Sequence, residues 1–133
     1  MVLNGQTTME GINDKGSYRK PFNTSEVISY IDGGGTGKVF IAGKVSKLVN
    51  AFSADYGNGT FWISDDGKFN DDPLKDFEAY RVYWLGNQKW TESDDQIKVG
   101  DAVVLFGEVT KYKTTYETNQ NKAYVFSING KAK

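Results

Sequence analysis

The chain has 133 residues, enough for one domain with a core and no case for two. It contains neither Cys nor His, which excludes disulfides, thiolate or imidazole metal sites and every Ser-His or Cys-His catalytic arrangement. The net charge is −1 and the pI about 5.4, whereas proteins that grip duplex nucleic acid through many phosphates are usually basic.

Aromatic residues make up 14% of the chain, so some are expected to serve as something other than core. Fifteen Gly and two Pro fit a turn-rich β protein. No apolar run approaches the ~20 residues of a membrane-spanning helix. Met1 to Gly5 is too short and too quickly polar for an export signal, so any such signal is expected to have been removed.

Residues 1–23 are polar and glycine-spotted and lack periodicity; they form an N-terminal arm or linker, with the folded domain expected over 24–133. Thr24 to Asp32 predicts a short helix. Asn23, Thr24 or Ser25 can cap it, and Val27, Ile28 and Ile31 share one face. Gly33, Gly34 and Gly35 end it. The run Gly33 to Lys38 is a connector and not a phosphate loop, because it follows a helix and opens a strand.

Lys38 to Val49 predicts a long first strand. Val39, Ile41 and Val45 occupy one face, and Gly43 interrupts that series. Thr60 to Asp65 is the second strand, with Phe61 and Ile63 inward and Trp62 outward. Residues 65–78 form an acidic loop in which six carboxylates face Lys68 and Lys75; the spacing is not that of an EF-hand, and no metal site is assigned. Ala79 to Leu85 is the third strand. Placing Arg81 and Tyr83 outside puts Tyr80, Val82 and Trp84 inside. Residues 86–99 hold Trp90 and the acidic run Glu92 to Asp95, with room for at most one helical turn. The fourth strand covers 101–112 and repeats the first: Val103, Leu105 and Val109 on one face, Gly107 in the place of Gly43. A loop is expected over Lys113 to Gln120, then a fifth strand over Lys122 to Ile128. Two long glycine-kinked strands suggest a sheet that closes on itself.

This pattern resembles the OB-fold, the oligonucleotide/oligosaccharide-binding barrel. The resemblance rests on Val39 to Val45, Phe61 to Asp65 and Val99 to Val109. The chain is also similar to small OB-fold lipoproteins of anaerobic gut bacteria to which nucleic-acid binding is ascribed. There the likeness rests on Pro21-Phe22 before the helix, Trp62-Ile63-Ser64-Asp65, and Tyr112-Lys113, Glu117-Thr118 and Asn121-Lys122-Ala123-Tyr124. The resemblance implies an all-β fold, a five-stranded OB-fold Greek-key barrel with a short N-terminal helix. The helix usual between strands three and four is barely represented, so the N-terminal helix is expected to cover that end of the barrel.

The resemblance also implies a ligand crossing the outer face of strands two and three, flanked by the loops joining strands one to two and four to five. Carried onto this chain, that site comprises Lys44, Trp62, Arg81 and Tyr83, with Tyr56, Lys111, Tyr112, Lys113 and Tyr116 from the loops. Aromatic rings stack on bases and nearby cations follow phosphates; the same rings can stack on sugars. Within 36–49 and 109–123, six lysines face a single acid, Glu117. The expected function is a non-enzymatic module for single-stranded DNA or RNA. The alternative is a protein- or glycan-interaction domain of an exported lipoprotein, and export is favoured over the cytoplasm. A nuclease built on Asp65, Asp66 and Arg81 is the remaining, disfavoured reading. No cofactor is implied.

Overall fold

The structure is a computed structural model that describes residues 15–91 and 96–132. The helix α1 spans Thr24–Asp32; the strands are β1 (Lys38–Asn50), β2 (Gly59–Ser64), β3 (Phe77–Val82), β4 (Ala102–Tyr112), β5 (Thr115–Ile128) and a two-residue β6 (Lys131–Ala132). The sheet order is β3-β2-β1-β4-β5-β6, and a parallel pairing of β3 with β5 closes it. The result is a closed five-stranded barrel, consistent with an OB-like barrel; β6 only extends β5 as a hairpin.

β1 makes closure possible by serving two neighbours. Lys38 to Lys44 pair with β4, and Lys44 to Asn50 pair with β2. Gly43 sits at the handover, where a Cβ would lie 3.0 Å from Ile63 Cδ1. Gly107 answers it on β4. A Cβ there would lie 2.4 Å from the Cα of Ala123, so β4 and β5 approach more closely than a side chain allows. The inward faces expected of both strands are observed: Val39, Ile41, Val45, Val103, Leu105 and Val109 are all buried.

The core is finished at both ends by apolar caps. At the Ser64 end of β2, α1 buries Val27 and Ile28 in the core cluster. Asn23 and Glu26 form a reciprocal capping box that starts the helix. Asp65, just after β2, accepts from the Thr24 amide at 2.7 Å and ties helix to strand. At the Gly59 end, Trp84 and Trp90 pack with ring centroids 4.2 Å apart. The Trp90 indole N–H donates to the Val82 carbonyl at 3.1 Å, satisfying its one polar group. A single 3₁₀ turn, Leu85–Asn87, is the only helical piece between β3 and β4 among the described residues; the acidic run 92–95 lies outside them.

The described part of the N-terminal arm docks on the barrel. The Phe40 amide donates to the Gly16 carbonyl and the Ala42 amide to the Phe22 carbonyl, both at 2.8 Å. The arm therefore occupies the edge of β1 that β4 leaves free, and Phe22 is buried in the core.

The third strand runs over Phe77–Val82 and not over 79–85, and its inward set differs from that expected. Tyr80 is not inward; Ala79 is buried in its place. Arg81 adopts a left-handed φ of 49°, which inserts a bulge and resets the alternation, so Val82 and Trp84 still point inward. The expected loop 113–120 is mostly strand. Tyr112 pairs with Thr115 across a two-residue turn, Lys113-Thr114, with Lys113 at φ 58°. The irregularity lies further on: Val109 pairs with Thr118 and Gly107 with Ala123, so residues 119–122 bulge out of β5.

Gly107→Ala should destabilise the fold by about 2 kcal/mol or more, because the new methyl meets backbone that cannot yield. Gly43→Ala should cost about half as much, because an Ile63 side chain can shift. Urea denaturation of both variants measures the difference; equal stabilities would refute the close-approach account of Gly107.

Candidate functional site

The residues expected to form one binding face are distributed over several places. Trp62 is half-buried on the outer face of β2, edge-on to Phe69 at 5.4 Å, and the Lys47 ammonium lies 4.6 Å from the Phe69 ring centre. These rings, with Asp71, Asp72, Thr114 and Thr115, line a cavity of about 250 Å³. Lys44 is exposed at the handover of β1. Arg81 is half-buried; its amide donates to the Thr60 hydroxyl and its guanidinium stacks 5.1 Å from the Tyr80 ring centre. Tyr56 is 63% exposed in the β1–β2 loop, and Tyr112 is 61% exposed at the end of β4. Lys113 lies in the hairpin turn with its ammonium 5.5 Å from the Tyr112 ring centre.

Tyr116 differs most from its expected place. It belongs to β5, is only 2% exposed, and its hydroxyl donates to Asp32 Oδ1 at 2.6 Å. Lys111 completes that group, 4.8 Å from the Tyr116 ring centre and 4.0 Å from Asp32. Both therefore hold the C-terminal end of α1 against the β4–β5 hairpin. Asp65, Asp66 and Arg81 do not converge either. Asp65 follows β2, while Arg81 bonds Thr60 near its start, roughly 17 Å away along the strand.

The outer face of β3 carries charge of the wrong sign for phosphate. Register places Lys47, Trp62, Glu78, Glu117 and Thr110 in one row across five strands. Glu78 and Glu117 are cross-strand partners, both half-buried. Burial raises the pKa of both. For Glu117, the neighbouring Glu78 adds to burial and pushes it up to about 7. They line a groove of about 630 Å³ together with Tyr80, Tyr112, Asn119, Gln120 and one cation, Lys111.

A different face gathers rings and cations. Phe40 on β1, Phe106 on β4 and Tyr124 on β5 are register partners, and Tyr83 bridges Tyr124 from the end of β3. Four aromatic positions therefore lie in a row across four strands, spanning ~15 Å at the usual strand spacing. All four are half-buried. Phe40 and Phe106 pack at 4.3 Å, and Phe126 meets Phe40 edge-on at 5.2 Å. Tyr18 of the arm, 65% exposed, adds a further ring against Phe40 and Phe126. Beside the row is a cavity of about 180 Å³, lined by Lys38, Lys122, Asn87 and Asn121 among others. Lys38, Lys122 and Arg19 are exposed. The acid at this cavity is Glu108, which accepts from the Asn119 amide at 3.2 Å.

Of the expected site residues, Tyr83 alone belongs to this row. Phe40, Phe106 and Tyr124 were legible as outward positions opposite buried aliphatics; their alignment depends on register. The row is also separate from Trp62. Phe40 and Lys47, the partner of Trp62, are seven residues apart on β1, roughly 23 Å. No protein-family model matches the chain, and the comparison with curated proteins found no relative.

Tyr116→Phe should lower stability by about 1 kcal/mol through loss of the Asp32 bond, measured by thermal or urea unfolding. A fully stable variant would refute the structural role assigned to Tyr116.

Proposed function

We propose that the chain is a non-enzymatic, OB-like module that binds single-stranded nucleic acid across the Tyr83–Tyr124–Phe106–Phe40 row. The observation that carries the reading is this aligned row of rings with Lys38 and Lys122 beside it. Bases stack on aromatic faces for roughly 1–3 kcal/mol each, without demanding a sequence. A row of ~15 Å at strand spacing suits two or three bases. The lysines supply the phosphate contacts, and Asn87 and Asn121 offer amides to base edges. The cations favour a phosphate-bearing ligand over a neutral one on this face. The Glu78–Glu117 pair steers phosphates away from the β3 groove.

A second reading, glycan recognition, is favoured at one place only. The Trp62 cavity combines an aromatic wall with Asp71, Asp72 and two threonine hydroxyls, at about 250 Å³, a volume suited to one sugar ring.

Fluorescence anisotropy with labelled single-stranded oligonucleotides at low salt tests the first reading. Binding should weaken steadily as salt rises. Tyr124→Ala should reduce affinity about tenfold, the loss of one stacked base. Lys38→Glu should flatten the salt dependence, while Trp62→Ala should leave affinity within about twofold. Absence of binding at high micromolar protein, or loss of affinity in Trp62→Ala but not Tyr124→Ala, would overturn the assignment to this face.

A further inference from the structure

We propose that the β3–β5 seam closing the barrel is a proton-operated clasp, in which Glu78 and Glu117 hold that end of the seam shut by sharing a proton and loosen it when both are ionised. β3 and β5 are the parallel closure of an otherwise antiparallel barrel. Glu78 and Glu117 are directly paired across it, on the outer side, and line one groove. The next contact along the seam is made by a side chain: the Tyr80 amide donates to the Thr118 hydroxyl at 2.8 Å, and that hydroxyl donates to the Tyr80 carbonyl at 3.1 Å. The far end, at Tyr83, is held by backbone bonds, Tyr83 N–H to Ala123 and Val125 N–H to Tyr83. The seam is thus paired through the backbone at both ends and carries the acid pair at one of them.

Among the described residues no ion pair reaches either carboxyl, although Lys111 lines the same groove. On β2 the neighbour of Glu78 is Trp62. On β3 the guanidinium of Arg81 is stacked on Tyr80. On β4, Thr110 is the partner of Glu117, Lys111 is turned to Tyr116 and Asp32, and Tyr112 carries Lys113 on its ring. On β5, Asn119 is bonded to Glu108. Removing the shared proton therefore sets two carboxylates against each other in a half-buried groove. Burial, and for Glu117 the charge of Glu78, raise both pKa values, Glu117 to about 7, so the transition falls near neutrality.

A carboxyl whose pKa is raised on folding binds its proton more tightly in the folded state. Its contribution to stability is complete below the ordinary carboxylate range and is lost as pH rises towards about 7. The seam is tight in mild acid and loose in mild alkali, and loosening widens the groove of about 630 Å³ beside it.

Amide hydrogen exchange, corrected for the intrinsic effect of pH, reads this end of the seam. Protection of the Tyr80 amide should fall about tenfold between pH 5.5 and 8.5, while Val125 keeps its protection. Glu117→Gln and Glu78→Gln should each remove the pH dependence at Tyr80. The clasp is overturned if Tyr80 protection does not change with pH, if Val125 falls in parallel, or if the Gln variants behave as the parent does. Carboxyl ¹³C titration of the unmodified protein gives a check free of any variant: two ordinary glutamate titrations would equally overturn it. The measurement needs no ligand, so its outcome is separate from that of the binding experiment.

Discussion

β1 must hydrogen-bond two different strands along one length, and the rest of the architecture follows from that. Its first half belongs with β4 and its second half with β2, and the change occurs at Lys44, beside Gly43. A straight strand cannot serve both neighbours and also let the sheet meet itself. The bend needs a residue without a side chain on the inner face, because Ile63 fills the corner. Gly107 answers the same need where β4 and β5 press together. Closure by β3 on β5 is then short and parallel, built from side-chain as well as backbone bonds.

The same handover divides the outer surface. Outward residues on the first half of β1 align with β4 and β5 and are aromatic: Phe40, Phe106 and Tyr124. Outward residues on the second half align with β2 and β3 and are Lys47, Trp62 and Glu78. One face offers rings with lysines at its border; the other offers a tryptophan beside paired carboxylates. A net charge of −1 averages over these two faces and describes neither. For a charged ligand, the local arrangement decides, since screening limits the reach of exposed charges to ~10 Å.

The fold was largely legible in the sequence because its determinants are local. Alternation in β1 and β4, the two kink glycines, the capped helix and the inward Phe61 and Ile63 all stand in short windows. Departures occurred where local and tertiary signals diverge. Thr114 to Thr118 is polar and looks like loop, yet Thr and Tyr favour strands once a partner strand is present, and β4 supplies it. Arg81 breaks the alternation of β3 with a left-handed residue that no composition rule anticipates. The candidate site was less legible still. A row of rings on four strands is a property of register. Phe40, Phe106 and Tyr124 are far apart in the chain and each sits beside buried aliphatics. Tyr116 had the composition of a binding residue but is committed to Asp32.

The docked arm bears on how copies of this protein meet. The Phe40 and Ala42 amides of β1 are spoken for by Gly16 and Phe22. Without the arm, the first half of β1 would be an open edge, carrying alternating apolar residues and unpaired backbone groups, beside an aromatic surface. Such an edge is a template for intermolecular sheet extension. The arm thus acts as an internal blocking strand on that edge. Because Tyr18 rides on the same segment, the state of that edge and the extent of the aromatic surface are linked through one short stretch of chain.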